Sequence, residues 1–152
     1  MLIEAKIEEM GLHLPEPRKP RAAYIPVRQA GKLLFVSGQS CKKDGKYVVE
    51  GKLGQELTIE QGQIAARQAI LNTLGAVKGY LGDLDKIKQF IKINGYVRSA
   101  DGFLEQPTVI DEASLLLEQL FGEAGKHART ALSANELPFG TPVEIEAILE
   151  IK

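Results

Sequence analysis

The chain has a single cysteine, Cys41, which excludes an intrachain disulfide and leaves a thiolate metal site without partners. Histidine is almost as scarce. His13 and His127 lie far apart and no HxxxH or His/Cys cluster occurs, so no protein-bound metal is expected. There is no excess of one charge: 19 Lys and Arg against 20 Asp and Glu leave a net charge of −1. A general attraction to nucleic acid or to an anionic membrane is therefore not expected. No apolar window is long enough to span a membrane. Acidic residues interrupt the first ten positions, so they do not read as a secretory signal, and a cytoplasmic location is expected. The GxGxxG, Walker and GxSxG motifs are missing too. Ser37, in Val36-Ser-Gly-Gln39, has no histidine evidently placed to activate it.

What is present suits one globular domain. The 152 residues are 44% hydrophobic and 26% charged, and a chain of this length buries about two-thirds of its unfolded surface. Leu2, Ile3, Ile7 and Met10 follow helical spacing and Gly11 can end that helix. The prolines of 14–20 then impose an extended connector, because they lack amide donors. Residues 24–29 and 33–38 read as strands around a turn at Ala30-Gly31, with Pro26 weakening the first. Residues 46–50 read as a short third strand.

Thr58-Ile-Glu-Gln61 matches a capping box and opens a helix over 58–81, with small Ala65, Ala66 and Ala69 suited to close packing on a sheet. Residues 87–97 read as a strand in which Gly95 marks a bulge or close backbone approach. A second helix is expected over 108–121, then strands over 128–134 and 143–151. The order β-β-β-α-β-α-β-β implies an α+β fold with two helices on one face of a sheet. A division into an N-terminal arm, 1–19, and a single domain, 20–152, is the simplest organisation. Arg18, Lys19 and Arg21 read as a solvated basic connector, without interleaved aromatics for stacking on RNA.

Two residues near the C-terminal end attract a functional reading. Arg129 begins one apolar run and Glu144 stands near the start of the next, across the turn Leu137-Pro-Phe-Gly-Thr-Pro142. If the runs pair, a planar cation suited to a carboxylate and a proton-transfer group come from neighbouring strands. In 143–151, Val143, Ile145, Ala147, Leu149 and Ile151 share one face; Glu144, Glu146, Ile148 and Glu150 share the other. The second face is wet or packs on another subunit. Glu146 competes with Glu144 for the acid–base role.

Phe35-Val-Ser-Gly-Gln39, Ala128-Arg-Thr-Ala131 and Glu144-Ile-Glu-Ala-Ile148, in that order and at those separations, resemble the Rid family, also called the YjgF or reactive-intermediate deaminase family. The resemblance covers about residues 20–152, and 1–19 resemble the extension of a longer subgroup. It implies a chorismate-mutase-like sheet backed by two helices and a homotrimer with clefts between subunits. The implied activity is cofactor-free hydrolysis of 2-imino acids to 2-keto acids and ammonia. By position, Arg129 matches the residue that binds the substrate carboxylate and Glu144 the acid associated with the attacking water. Tyr24, Gly38 and Ala131 match cleft-lining positions. Ala131 stands where many deaminases have cysteine, and 109–114 lacks the asparagine many of them carry in the second helix. The same cleft could bind keto acids without catalysis. Endoribonuclease activity, a label long attached to the family, is disfavoured by the charge balance.

Overall fold

The computed structural model describes residues 2–17, 19 and 22–152. Arg18 and Arg21 of the basic connector lie outside that range. The first helix, α1, spans Leu2–Glu9. Strands β1 (Val27–Ala30) and β2 (Leu33–Ser40) form an antiparallel hairpin, turned by Gly31 at φ +60°. The first strand is shorter than its sequence suggests. Pro26 cannot donate to a ladder, and its carbonyl instead accepts from the Ser37 amide at 2.9 Å. Tyr24 consequently lies ahead of the strand.

The expected third strand is replaced by a small ribbon outside the sheet, β3 (Lys42–Lys43) with β4 (Lys46–Tyr47). Asp44 and Gly45 close that ribbon with left-handed backbone, and of the run 46–50 only Lys46 and Tyr47 are strand. Helix α2 spans Ile59–Leu81. Its capping box forms, with Thr58 Oγ1 accepting from Gln61 N at 3.3 Å and Gln61 Oε1 from Thr58 N at 2.9 Å. Gly82 ends it at φ +78°. Strand β5 covers Ile87–Arg98, helix α3 Gln106–Phe121, strand β6 Ala128–Ala134 and strand β7 Val143–Ile151. Helix α3 starts two residues earlier than expected because Pro107 is accepted in its first turn.

The sheet runs β1-β2-β7-β5-β6, with β5 and β6 parallel and the other pairs antiparallel. This corrects one expectation directly: the strands of Arg129 and Glu144 are not neighbours. Strand β5 lies between them, taking Arg129 opposite Ile93 on one side and Glu144 opposite Tyr96 on the other. The prolines and short 3-10 turn between β6 and β7 carry the chain across β5 rather than folding it into a hairpin.

Helices α2 and α3 pack together on one face of the sheet. Leu34, Val36, Ile93, Val97, Val143, Ile145 and Leu149 meet them there and are buried. Gly95 performs the close approach its position suggests. A β-carbon on it would sit 2.7 Å from Ile110 Cδ1, so only glycine lets α3 lie this near β5. The other face of the sheet has no helix among the described residues. It carries Glu144, Glu146 and Ile148, together with exposed Phe35 and Leu132.

The N-terminal arm docks on α2 and α3. Ile7 is buried, Lys6 Nζ donates to the Leu120 carbonyl at 3.2 Å, and Glu4 Oε1 accepts from Lys78 Nζ at 2.7 Å and Leu84 N at 3.0 Å. Asp85 caps α1 by accepting from the Leu2 and Ile3 amides at 2.7 and 3.0 Å. Pro15 and Pro17 lie over Gly75 and Gly79, one turn apart on α2, where any side chain would meet a proline ring.

Candidate functional site

Arg129 stands at the start of β6, the edge strand. Its register partner Ile93 is buried against the helices, so Arg129 shares that face, and its side chain reaches α3. Nη1 donates to Asp111 Oδ1 at 2.8 Å and to Ser114 Oγ at 3.2 Å. Asp111 and Ser114 are three residues apart on α3, hence on one helix face. The Nε and Nη2 groups carry no hydrogen bond among the described residues. One side of the fork is thus held and the other carries no hydrogen bond, a geometry of donors that suits a carboxylate.

His127, two residues before Arg129, completes this cluster. Its Nδ1 lies 2.7 Å from the Gly125 carbonyl and its Nε2 3.0 Å from Ser114 Oγ. The carbonyl can only accept, so Nδ1 holds the ring proton and Nε2 accepts from the Ser114 hydroxyl. Burial, seconded by the Arg129 charge and opposed by the Gly125 carbonyl, holds the imidazole below its ordinary pKa. At neutral pH the ring is therefore uncharged.

Glu144 lies on the opposite face of the sheet. Its register partners are Ser40 and Tyr96, and it alternates with buried Val143 and Ile145. Between Val36 and Gln39 the β2–β7 ladder slips by one residue, a β-bulge that contains Ser37 and Gly38. The Glu144 carboxylate rests over Gly38: a β-carbon there would come within 2.5 Å of Oε1. It accepts no hydrogen bond among the described residues. Burial, with the Glu146 charge added, raises its pKa above the usual carboxylate range.

Glu146 is placed differently. Its Oε1 accepts from Asn94 Nδ2 at 3.0 Å and from the Tyr96 hydroxyl at 2.8 Å. Of the two competitors, then, Glu146 is held by two donors and Glu144 by none among the described residues. Ser37 is spent locally, donating to the Pro26 carbonyl at 3.2 Å. Tyr24 is 62% exposed and makes no hydrogen bond among the described residues. Ala131 pairs in register with Gly95 on the same face as Arg129. A depression of about 370 Å³ lies on the helix-free face, lined by Arg28, Phe35, Lys92, Asn94 and Glu146 among others; it includes neither Arg129 nor Glu144.

The model of the family described as "YjgF/chorismate mutase-like, putative endoribonuclease" matches residues 4–146. This chain belongs to that family. The YjgF-like chain is 39% identical over 150 residues to Protein TCP17 of Trypanosoma cruzi, covering 98% of this chain and 94% of that protein. It superposes on the crystal structure of Atu1372 from Agrobacterium tumefaciens, described as having unknown function, with a TM-score of 0.94, 43% identity, and 99% and 93% coverage. A crystal structure described as a "putative endoribonuclease" of Shewanella oneidensis gives 0.94 at 32% identity, with 99% and 100% coverage. Coverage of 99% means that the docked N-terminal arm is part of the fold shared with both structures.

Within this YjgF-like fold, four of the five residues singled out in the sequence divide into two groups, and Tyr24, ahead of β1, belongs to neither. Arg129 and Ala131 belong to the helix face at the β6 edge. Glu144 and Gly38 belong to the opposite face, at the bulge between β2 and β7. Asp111, Ser114 and His127 were not singled out, although the i, i+3 spacing on one helix and the position of His127 two before Arg129 were both readable. Asn94 and Tyr96 required the strand order, because β5 had first to be placed beside β7.

Proposed function

We propose that this protein hydrolyses reactive 2-imino acids to 2-keto acids and ammonia, with Arg129 gripping the substrate carboxylate. The supporting observation is the half-locked guanidinium. Asp111 and Ser114 fix Nη1 and leave the Nε/Nη2 edge for a bidentate ligand. Binding the carboxylate there fixes the adjacent imine carbon, and a protonated imine is electrophilic enough for orientation to supply much of the acceleration. Water adds to that carbon. A carboxylate of raised pKa takes its proton and returns it to the departing nitrogen, releasing ammonia and the keto acid.

Glu144 suits that proton transfer, but one sheet separates it from the Arg129 of its own chain. The reading therefore pairs Arg129 at the β6 edge of one copy with Glu144, Gly38 and Tyr24 of another, in a homotrimer with three such clefts. Exposed Phe35 and Leu132 on the helix-free face would be covered in that assembly. The catalytic assignment is Arg129 and Glu144, with Tyr24, Gly38 and Ala131 lining the cleft and no cofactor.

The family description also names endoribonuclease activity. The helix-free face sets Glu144, Glu146 and Glu150 beside Arg28 and Lys92, so it has no cationic excess to track a phosphate backbone. An amino-acid-oxidase-coupled assay, generating the imine freshly from several amino acids, tests the proposal. Turnover should fall to background in Arg129→Ala, and full activity in that variant would sink it. Saturable keto-acid binding without any acceleration would replace catalysis by binding alone. RNA cleavage lost on Arg129→Ala would support the nuclease instead.

A further inference from the structure

Ser114, His127 and the Gly125 carbonyl form a nucleophile, a base and an orienting group in one line. The Ser114 hydroxyl donates to His127 Nε2 at 3.0 Å, and the His127 Nδ1 proton is fixed by the Gly125 carbonyl at 2.7 Å. This selects the tautomer in which Nε2 can receive a proton. Arg129 Nη1 donates to the same hydroxyl oxygen at 3.2 Å, which favours negative charge developing on it. Ser114 and His127 are both only partly buried, and Ser114 touches the Nη1 side of the same guanidinium whose Nε and Nη2 carry no hydrogen bond among the described residues. A half-buried histidine that needed only a hydrogen bond would be satisfied by the Gly125 carbonyl and one donor. Here the donor is itself a nucleophile touching a guanidinium.

We propose that Ser114 is an activated nucleophile and that the Arg129 site hydrolyses small carboxylate-bearing esters through an acyl-serine. The Arg129 Nε/Nη2 edge holds the carboxylate and Ser114 Oγ attacks the acyl carbon. The Oγ proton passes to His127 Nε2, and the alcohol leaves, taking a proton from the imidazolium. Water then adds to the acyl-serine with His127 again accepting its proton, releasing the acid and restoring Ser114. The net reaction is ester plus water to acid plus alcohol. The proposal shares the carboxylate grip of Arg129 with the imine reading and none of its imine chemistry.

The test uses the intact protein with the mono-p-nitrophenyl ester of succinic acid, and p-nitrophenyl acetate as the neutral comparison. Nitrophenolate release and peptide mass mapping are read together. The expected result is acylation at Ser114, faster for the succinyl ester on the order of ten-fold, with that preference lost in Arg129→Ala. His127→Gln should slow acylation about 100-fold, and Ser114→Ala should remove the adduct. No acyl group on Ser114 of the wild-type chain, or equal rates in His127→Gln, overturns the proposal, and mapping the adduct on wild type decides this without any variant. Ser114 acylation in a preparation that leaves 2-imino acids untouched would count against the imine reading alone.

Discussion

Glu144 lays its carboxylate on the bare backbone of Gly38, and no side chain fits between them. The bulge in β2 brings Gly38 under the acid, and the absent β-carbon gives Oε1 its place. Gly38→Ala should therefore act on the carboxylate rather than on the fold. The atom it strikes is the far end of a flexible side chain, and Gly38 is not among the residues with positive φ. The stability cost should stay under about 1 kcal/mol. Imine turnover should drop about 100-fold, because an ångström of displacement at a proton-transfer group is expensive. Thermal melts and kcat/KM on one preparation check both halves. A large loss of Tm with normal turnover would show that Gly38 serves packing and not Glu144.

Asp111 competes with any carboxylate ligand for the Arg129 guanidinium. The pair is 2.8 Å apart, but half of the Asp111 side chain is exposed, so its attraction is screened. Asp111→Asn keeps a possible acceptor for Nη1 while removing the like charge beside the ligand. Keto-acid affinity should rise a few-fold, an effect on the order of 0.5 kcal/mol. Arg129→Lys should lose at least about ten-fold, because an ammonium cannot offer the bidentate edge. Calorimetric titration with 2-oxobutyrate measures both. Weaker binding in Asp111→Asn would make Asp111 a support of the arginine and not its competitor.

The half-buried, unpartnered Glu144 should cost stability at neutral pH. Its folded pKa is raised by burial first and by Glu146 second, so the folded chain holds a proton that the unfolded chain has already released. The favourable contribution is complete below the unfolded value, near 4.5, and is lost as pH rises through the higher folded value. Glu144→Gln should accordingly raise Tm at pH 7, with the gain shrinking towards pH 4. His127 acts in the other direction on pH: its folded pKa is depressed, so its protonation on acidification favours unfolding from about its unfolded value downward. Melts of His127→Gln alongside Glu144→Gln separate the two. A Glu144→Gln gain that persists unchanged at pH 4 would contradict the assignment.

Local chemistry explains what the sequence made legible. The capping box at Thr58, the glycine stop at Gly82 and the alternation of Val143 to Leu149 are each set by a few adjacent residues, and each is present as read. Strand order is not local. Whether β7 pairs with β6 or with β5 is set by how the connection between β6 and β7 runs across the whole sheet, not by adjacent residues. For this reason Arg129 and Glu144 could be named individually, yet their faces and their separation by β5 could not. The same applies to Ser114 and His127, which meet only because α3 turns back onto the start of β6.

The N-terminal arm provides a test in which an ordinary rule should reverse. Glycine inside an exposed helix costs roughly 0.5–1 kcal/mol relative to alanine, so Gly79→Ala on α2 would normally stabilise. Here Pro17 occupies the space of the new methyl, and at Gly75 a β-carbon would lie 2.8 Å from the Pro15 carbonyl oxygen. Neither proline ring can rotate aside as a long side chain does, so the arm itself must lift. Gly79→Ala should lower stability by about 1–3 kcal/mol, the range for overpacking a close contact. For a chain of this size that is a fall in Tm of roughly 2–4 °C per kcal/mol. Displacement of the connector should also expose it to limited proteolysis near residues 12–19. Ile7→Ala, which removes the buried anchor of α1 and leaves the prolines unaltered, should weaken the arm by a separate route at about 2–4 kcal/mol. A rise in Tm for Gly79→Ala, with unchanged proteolysis, would mean that Pro17 does not rest on α2 in solution.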